Sequence, residues 1–421
     1  MRILWITNRP TPDIAEKIGR PVGIGVGWLN EPSKQLSQIC TLGMAFPVSE
    51  NYGYKEGHVN HIYYYAVPLK TGAIRPDETK IKFYEDIITR FSPDVIHIWG
   101  TEYVHSYLAV RASKNVGMLD KVVISIQGLV SVYARHFYGH IEGVRIKIPT
   151  LKNIYFKDSL IRQRRNFMIR GKYERQCISM VHHVIGRTDW DIACTTQINP
   201  KINYHFCNET LRNSFYENQW KMDECEKHSL FVSQCQYPLK GLHHALEALS
   251  ILVKRWPDAH LYTTGSGRDI LHGSIKERLF DSEYECYLRC QIKAYNLEKN
   301  ITFLGPLDEE EMCERFCRTH VFLSPSSIEN SSNSIGEAMI MGVPVVAADV
   351  GGIKNLMVHG EEGYIYQADA PYMLAYYVSK IFENDSLAED LSKKGQAHAR
   401  QIHDKERNLK ALMDIYSEIM L

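Results

Sequence analysis

The chain has 421 residues, a length that allows two domains with a hydrophobic core in each. Lysine plus arginine and aspartate plus glutamate both number 49, so no overall charge attracts nucleic acid, and we predict no nucleic-acid partner. No apolar run has the length of a membrane span, and MRILWITNRP (1–10) is interpreted as a first strand, not as a signal peptide. We therefore expect a cytoplasmic protein.

Ten cysteines are scattered along the chain, which is typical of reduced thiols in a cytosol. Cys286/Cys290 and Cys313/Cys317 are each spaced four apart on predicted helices, so a four-thiolate metal site is one interpretation. Zinc knuckles usually use tighter spacings, and partly buried helical thiols are the favoured interpretation. We predict no bound metal.

In the first half of the chain, short apolar runs alternate with segments of helical spacing. The predicted strands are RILWIT (2–7), HIYYYAVPL (61–69), DVIHIWG (94–100), KVVISIQG (121–128) and HHVIGRT (182–188). A glycine-rich turn at 22–29 leads from the first strand into a helix, and 77–91 has helical spacing. This succession of strand, loop and helix predicts a parallel sheet with helices on both faces.

The second half repeats this form after a charged linker at 222–228. Its predicted strands are LFVSQC (230–235), AHLYTTGSG (259–267), NITFLG (300–305), HVFLSPS (320–326) and VPVVAAD (343–349). We therefore predict an α/β protein of two Rossmann-like, doubly wound domains, 1–220 and 221–400, that face an interdomain cleft. The C-terminal helix, at about 400–421, is expected to pack back on the first domain.

The most informative segment is SPSSIENSSNSIGEAMIMGVPVVAAD (324–349), where Glu329 and Glu337 lie on either side of a small polar loop. The loop leads into a short apolar helix, and first-turn N–H groups near Asn333 and Ser334 favour a phosphate. Glu337 in the first turn suits two adjacent hydroxyls, as on a ribose. The alternative is that Glu337 only caps its helix and that Glu329 is a solvated loop acid.

Three further loops follow predicted strands. Lys240 lies in a turn before a helix, where its ammonium can reach a diphosphate, although an exposed lysine is the alternative. Glycines in GIGVGWL (23–29) and GSGR (265–268) allow the backbone to approach a phosphate or base closely, and ordinary turns are the alternative. The glycines concerned are Gly25, Gly27, Gly265 and Gly267.

Together these segments resemble the family 4 retaining glycosyltransferases of the GT-B type, the glycosyl transferases group 1. The resemblance rests on ENSSNSIGEAMIMGVPVV, YPLKGLHHALEAL and ITFLGPL, and it covers most of the C-terminal half in order. It implies that Glu337 holds the nucleotide ribose, that Glu329 contacts the transferred sugar, and that Lys240 neutralises the diphosphate leaving group. Backbone amides would cradle phosphates and sugar near Gly25, Gly27, Asn333 and Ser334.

The resemblance also implies retention of the anomeric configuration without a bound metal or other cofactor. Two positions depart from the family pattern. Family members commonly have an arginine five residues before the lysine, where this chain has Cys235, and many have a histidine where it has Gln127. Gln127, Glu102 and His97 are candidate contacts for the acceptor or sugar, with a satisfied core histidine as the favoured interpretation of His97.

Residues 145–175 contain ten lysines or arginines against two acids, interleaved with apolar residues. Such a basic amphipathic segment suits an anionic membrane surface, and one hypothesis is that it docks the first domain on the inner face of the cell membrane. A solvated helix packed on its sheet is the equal alternative. RNA is a weaker candidate, because no recognised binding module frames the charges.

We therefore predict a retaining, metal-independent glycosyltransferase that moves a hexose-type unit from a nucleoside-diphosphate sugar to a glycan or lipid-linked glycan. Bacterial surface polysaccharide assembly is the setting that the resemblance implies. One alternative is a nucleotide-sugar epimerase of the same fold. Another is a catalytically inactive sugar-nucleotide-binding partner, which the departures at Cys235 and Gln127 favour.

Overall fold

The structure is a computed structural model that describes residues 1–21, 27–141, 150–265, 270–274 and 278–421. These segments group into two units. The first unit contains Met1–Val132, Asn166–Arg212 and His403–Leu421. The second unit contains Tyr133–Arg165 and Asn213–Ile402. Two of the points where the chain passes between the units, at 212/213 and 402/403, therefore lie near the predicted boundaries at 220 and 400.

Fourteen strands and sixteen helices are named here within the described residues. The strands are β1 (Arg2–Ile6), β2 (Thr41–Ser49), β3 (Lys55–Val59), β4 (Ile62–Leu69), β5 (Val95–Trp99), β6 (Val122–Ser125), β7 (His183–Gly186), β8 (Asn203–Phe206), β9 (Glu226–Val232), β10 (His260–Thr264), β11 (Ile301–Gly305), β12 (Thr319–Ser324), β13 (Val345–Ala348) and β14 (Tyr364–Tyr366). The helices are α1 (Pro12–Lys17), α2 (Gly27–Ile39), α3 (Ile81–Phe91), α4 (Val104–Asn115), α5 (Val130–His136), α6 (Leu151–Phe156), α7 (Leu160–Met180), α8 (Asp189–Ile198), α9 (Asn213–Glu217), α10 (Leu242–Leu252), α11 (Glu283–Ala294), α12 (Glu309–Cys317), α13 (Asn333–Met341), α14 (Pro371–Phe382), α15 (Asp385–Ile402) and α16 (Lys405–Met420).

The first unit is built on an eight-stranded sheet in the order β3-β4-β2-β1-β5-β6-β7-β8. Its strand pairs are parallel except for β3 and β4, which form an antiparallel hairpin at one edge. From β1 the chain adds strands first on one side and then on the other, so the sheet is doubly wound. The second unit has a six-stranded parallel sheet in the order β11-β10-β9-β12-β13-β14.

Strand β1 shows why these strands are almost continuously apolar. Ile3 and Trp5 belong to a core that α2 and α16 cover, whereas Leu4 and Ile6 belong to the core that α3 and α4 cover. Because both faces of the sheet are buried, successive residues both need apolar side chains, and the alternation of a half-exposed strand disappears. Strands β12 and β13 of the second unit are likewise buried at every position.

Helix α16 is fixed to the first sheet through Tyr416. The indole N–H of Trp5 donates to Tyr416 Oη at 3.0 Å, and His97 Nδ1 lies 2.6 Å from the same oxygen. His97 Nε2 lies 2.7 Å from Ser125 Oγ, and burial lowers the pKa of His97 to about 3. His97 is fully enclosed, so it has no surface for an acceptor. This corrects the acceptor prediction for His97 in favour of the core interpretation.

The segment Tyr133–Arg165 follows β6 in the chain but groups with the second unit. The sequence places it in the first domain. The physical reason for the difference is a set of polar contacts to α10 and α11. The Gly139 carbonyl accepts hydrogen bonds from Nε2 of His243 at 2.7 Å and of His244 at 3.2 Å, and Leu160 N donates to Glu283 Oε2 at 2.6 Å.

Candidate functional site

The turn that carries Lys240 is pressed against the loop after β12. Pro238–Lys240 form one 3-10 turn after β9, and Gly241 then takes a positive φ of 74° before α10 begins. A Cβ built at position 241 would lie 1.8 Å from the carbonyl oxygen of Pro325. A glycine is therefore required here by both the backbone conformation and the close approach.

The loop after β12 holds Glu329 from several sides. Ser327 N donates to the Leu239 carbonyl at 2.8 Å, which ties this loop to the Lys240 turn. Ser326 Oγ donates to Glu329 Oε1 at 2.7 Å, and Gly352 N donates to the Glu329 carbonyl at 3.1 Å. Both the backbone and the carboxylate of Glu329 are thus positioned, and only 8% of the residue is exposed. This excludes a freely solvated loop acid.

Lys240 and Glu329 form an ion pair, with Lys240 Nζ 2.6 Å from Glu329 Oε1. Burial acts against the charged form of Lys240, but the adjacent Glu329 carboxylate outweighs it, so the pKa of Lys240 is raised. The pair lines a pocket with an empty volume of about 280 Å³, together with Ser233, Gln234, Ser326, Ser332 and Ser334. The pocket thus offers a fixed positive charge and several hydroxyl groups to an anionic ligand.

The N-terminus of α13 opens beside this pocket. Ser332 is the N-cap residue but makes no side-chain capping bond, and Ile335 N and Gly336 N both donate to its carbonyl at 3.1 Å. The N–H groups of Asn333 and Ser334 precede the first intrahelical bonds, so they are directed to a ligand or solvent. Asn333 Oδ1 is buried and has no hydrogen-bond partner among the described residues. This combination suits an anion with a hydroxyl group.

Glu337 lies one turn further along α13 and is 7% exposed. It does not line the pocket of Lys240, although Ser334, three residues before it, does. Residues three apart share one face of a helix, so Glu337 lies on the side of α13 that carries Ser334. Its assignment to a ribose stays a prediction.

Of the four glycines that were predicted to approach a phosphate or base, Gly27 and Gly265 are among the described residues. Gly265 follows β10, its N–H donates to the Gly305 carbonyl at 3.2 Å, and a Cβ there would lie 2.3 Å from Cys235 Sγ. The buried thiol of Cys235 therefore packs beside Gly265, at the position where the family commonly has an arginine. Gly27 is the first residue of α2. Gly25 and Gly267 lie outside the described residues.

A second pocket lies at the carboxyl ends of β5, β6 and β7 in the first unit, with an empty volume of about 540 Å³. Its wall includes a buried ion pair, in which Arg187 Nη1 lies 2.8 Å from Glu209 Oε2. The Gln127 amide donates to the other oxygen of Glu209. Gln127 was predicted from the sequence but Glu209 was not, because a single acid after a short strand carries no pattern that pairs it with Arg187.

Glu102 lies just after β5, half-buried, and burial raises its pKa to about 7. Nearby Glu174 on α7 is fully buried and accepts hydrogen bonds from Val130 N at 2.7 Å and Ser131 N at 2.9 Å, which caps α5. Burial also raises the pKa of Glu174 to about 7. Two carboxyl groups whose pKa values are raised to near neutrality therefore lie beside this end of the sheet, and the acceptor role of Glu102 stays a prediction.

The raised pKa of Glu174 predicts a pH-dependent stability. Between its ordinary value of 4.5 and about 7, the folded state binds more protons than the unfolded state, so the free energy of unfolding falls as pH rises. The contribution is roughly 3 kcal/mol. Denaturant titrations at a series of pH values should show a smaller fall for Glu174→Gln, whereas exposed Glu78→Gln should keep the wild-type profile. An unchanged profile in Glu174→Gln would contradict the assignment.

No group of three or more histidine, cysteine or acidic side chains in the described residues is arranged to hold a metal ion. Among the described residues, none of the cysteines that the sequence paired as possible ligands, at 286, 290, 313 and 317, forms a disulfide. Within the described ranges, no helix combines the length and apolar character that crossing a bilayer requires.

The architecture matches that of solved glycosyltransferase structures. Sucrose-phosphate synthase from Thermosynechococcus elongatus superposes with a TM-score of 0.70 at 14% identity, covering 100% of this chain and 99% of that one. Alr3699/HepE from Anabaena, solved in complex with UDP, superposes with a TM-score of 0.66 at 15% identity over 99% and 100% of the two chains. At such identities the likeness shows the fold alone. That fold is GT-B, which confirms the predicted fold class.

Residues 213–398 match the family described as Glycosyl transferases group 1. Phosphatidyl-myo-inositol mannosyltransferase from Mycobacterium tuberculosis is 28% identical over 178 residues, which are 41% of this chain and 42% of that protein. The match thus spans about two fifths of the length of this relative. The match confirms, for residues 213–398, the resemblance to the Glycosyl transferases group 1 family that the sequence predicted.

Proposed function

We propose that this protein is a retaining glycosyltransferase that transfers a sugar from a nucleoside-diphosphate sugar to a hydroxyl group of a glycan or lipid-linked glycan. The observation that carries the proposal is the Lys240–Glu329 pair, 2.6 Å apart, beside the open first turn of α13. A positive charge, free helix amides and a positioned carboxylate are the groups that a sugar diphosphate needs. The match of residues 213–398 to the Glycosyl transferases group 1 family supports the same reaction.

In this proposal the diphosphate lies against Lys240 and the amides of Asn333 and Ser334, and Glu337 accepts hydrogen bonds from the ribose hydroxyls. The bond between sugar C1 and the phosphate oxygen breaks, and its electron pair leaves with the diphosphate. The acceptor oxygen forms a new bond to C1 on the same face, and its proton passes to the departing phosphate. The ammonium of Lys240 stabilises the charge that develops on the leaving group.

Glu329 would contact the transferred sugar near C1. Its Oε1 is already engaged by Lys240 and Ser326, so the carboxylate is held in place before a ligand arrives. Such positioning lowers the reorganisation needed during transfer. At the position of the usual family arginine, Cys235 supplies no charge, and Ser233 and Gln234 line the pocket instead. The diphosphate would therefore depend on Lys240 as its principal cation.

The acceptor would bind in the first unit, at the pocket bounded by Arg187 and Glu209. Parallel sheets bind ligands at the carboxyl ends of their strands, and this pocket lies there. The Gln127 amide and the ion pair offer several directed polar groups to sugar hydroxyls. Assembly of a bacterial surface polysaccharide in the cytoplasm, at the inner face of the membrane, is the setting that we propose.

The structure of Alr3699/HepE contains UDP, which makes UDP and UDP-sugars the first ligands to test. Glu337→Gln should weaken UDP binding by about 10- to 100-fold, because a charged hydrogen bond to the ribose is lost. Isothermal titration calorimetry of the variant, the wild type and the exposed control Glu361→Gln measures this. Equal affinities in all three folded proteins would remove the ribose role of Glu337.

Transfer itself is tested by incubating the protein with UDP-sugars and a panel of glycan acceptors, with and without a chelator. The expected result is acceptor-dependent release of UDP and a product of retained anomeric configuration. Interconversion of the sugar without an acceptor would indicate an epimerase. UDP binding without turnover on any acceptor would indicate the inactive binding partner, which Cys235 favours because the usual second cation is missing.

A further inference from the structure

Helix α6 directs most of its apolar side chains to solvent. The exposed fractions are 51% for Leu151, 67% for Ile154, 77% for Tyr155 and 60% for Phe156. Ile161, at the start of α7, is 49% exposed. Single exposed apolar residues need no explanation, but a contiguous group of large ones marks a surface that is covered when the protein works. We call Leu151–Phe156 together with Ile161 the α6 surface.

The α6 surface is a formed structural element. Thr150 Oγ1 accepts a hydrogen bond from Asn153 N at 3.3 Å, which caps the start of the helix. Lys157 then takes a left-handed conformation, with φ of 52°, and ends it. The apolar side chains are therefore presented by an ordered turn of helix with defined ends.

Basic side chains border the α6 surface. Lys157, Arg162 and Arg165 are all exposed, and among the described residues none of the three has a carboxylate within ion-pair distance. Lys152, on α6 itself, is paired with Glu285 of α11 at 3.6 Å. Because the whole chain has a formal net charge of zero, this border is a local excess of positive charge.

The α6 surface is attached to the second unit, which also carries Lys240. Besides the Lys152–Glu285 pair, Leu160 N donates to Glu283, and Gly139 binds His243 and His244 through its carbonyl. Since a carbonyl only accepts, both histidines must carry a proton on Nε2. A Cβ at position 139 would lie 2.3 Å from the Pro238 carbonyl, so this segment also touches the turn of Lys240.

We propose that the α6 surface docks the second unit on an anionic lipid bilayer. Ile154, Tyr155 and Phe156 would enter the boundary between headgroups and acyl chains, where aliphatic and aromatic side chains are both favourable. Lys157 and the two arginines would lie against anionic headgroups. Unpaired cations around an exposed apolar face are complementary to such a membrane, whereas a surface that pairs with a second copy of itself would bring like charges together.

This places membrane contact on the second unit, whereas the sequence hypothesis assigned residues 145–175 to docking of the first domain. The biological reason for membrane docking rests on the proposed function, because a lipid-linked acceptor would lie at the same membrane surface. The physical interaction itself depends on α6 and its charges.

Co-sedimentation with vesicles tests the docking. The wild type should bind vesicles of phosphatidylcholine mixed with phosphatidylglycerol, bind pure phosphatidylcholine weakly, and lose binding as salt is raised. The triple variant Ile154→Ser, Tyr155→Ser, Phe156→Ser should lose binding. Each of Lys157→Glu and Arg162→Glu should lower affinity at least about fivefold. The matched control is Tyr372→Ser with Tyr376→Ser, two exposed tyrosines on α14 of the same unit.

The side chains substituted in the α6-surface variants and in the tyrosine control are all exposed, so thermal unfolding of these proteins should be unchanged and will confirm folding. The proposal would be overturned if the wild type did not bind the mixed vesicles, or if the triple variant bound them as well as the wild type does. Self-association of the wild type that the triple variant abolishes would also overturn it, since a second copy would then cover α6. Glu329→Gln should bind vesicles normally, so failure of the transfer reaction and failure of docking are distinguishable.

Discussion

Replacing Lys240 by alanine should lower kcat for sugar transfer by about 100- to 1,000-fold, because a positioned cation that stabilises the leaving diphosphate is lost. Lys240 is the only basic side chain among the described residues that line the 280 Å³ pocket. With Cys235 in place of the usual arginine, no second cation on this loop compensates. The measurement is release of nucleoside diphosphate at saturating donor and acceptor.

A structural role for Lys240 predicts a different result. Loss of the ammonium leaves the Glu329 carboxylate without its partner at a site where its side chain is 11% exposed, which costs about 1–3 kcal/mol of stability. Thermal unfolding separates this cost from the effect on kcat. Lys354→Ala is the control, because that lysine is 69% exposed and pairs with Asp349 at 2.8 Å. A folded Lys240→Ala protein with wild-type kcat would contradict the proposed chemistry.

Lys240→Arg adds a further distinction. An arginine keeps the charge but replaces a compact ammonium with a planar fork, which does not fit a site built around a 2.6 Å contact to one carboxylate oxygen. We expect partial recovery of kcat relative to alanine. Recovery to the wild-type rate would indicate that charge alone matters, whereas no recovery would indicate that geometry around Glu329 dominates.

The residues at the centre of the candidate site could be singled out from the sequence for a physical reason, while their roles stay predictions. Lys240 lies in a turn before an apolar helix, and Glu329 lies in a polar loop that leads into another apolar helix, α13. Both are local patterns that the sequence displays. These loops follow β9 and β12, which are neighbours in the parallel sheet, so their proximity follows once the strand order is known. The Lys240–Glu329 contact itself is seen only in the structure.

Strands β2, β3, β8 and β14 were not predicted, and the residues of β2, β8 and β14 explain why. Strand β2 contains Gly43 and Pro47, two residue types that normally argue against a central strand. In the structure, a Cβ at position 43 would lie 2.9 Å from the ring of Phe91, so the glycine makes room for α3. Strands β8 and β14 have only four and three residues, too few to show a period.

Polar contacts between residues far apart in the chain could not be predicted from the sequence either. The Arg187–Glu209 pair joins residues from two separate strand ends, and Glu174 caps a helix that begins more than forty residues earlier in the chain. Neither arrangement has a spacing that a pattern can detect. The grouping of Tyr133–Arg165 with the second unit is of the same kind, since it depends on Gly139 meeting His243 and His244. Local pattern predicts elements, but it does not predict which distant side chains satisfy each other's hydrogen bonds.

Replacing Gly241 by alanine should lower the free energy of unfolding by roughly 3 kcal/mol and reduce transfer activity through a displaced Lys240. Two costs combine at this position. The φ of 74° is unfavourable for any residue with a Cβ, and that Cβ would lie 1.8 Å from the Pro325 carbonyl, a backbone atom in the loop that leads to Glu329. The only relief is to move the two loops apart, which lengthens the Lys240–Glu329 contact.

Gly360→Ala separates the two costs. Gly360 has a φ of 80° in the same unit, and nothing lies within 4 Å of a Cβ built there, so alanine at this position pays the conformational cost alone. We expect about 1 kcal/mol of destabilisation and wild-type kcat for this control. The excess effect of Gly241→Ala then measures the clash with Pro325, and the loss of kcat measures how strictly transfer depends on the position of Lys240. Equal destabilisation by the two variants, with equal kcat, would show that the Lys240 turn tolerates displacement and that the loops do not act as one clamped unit.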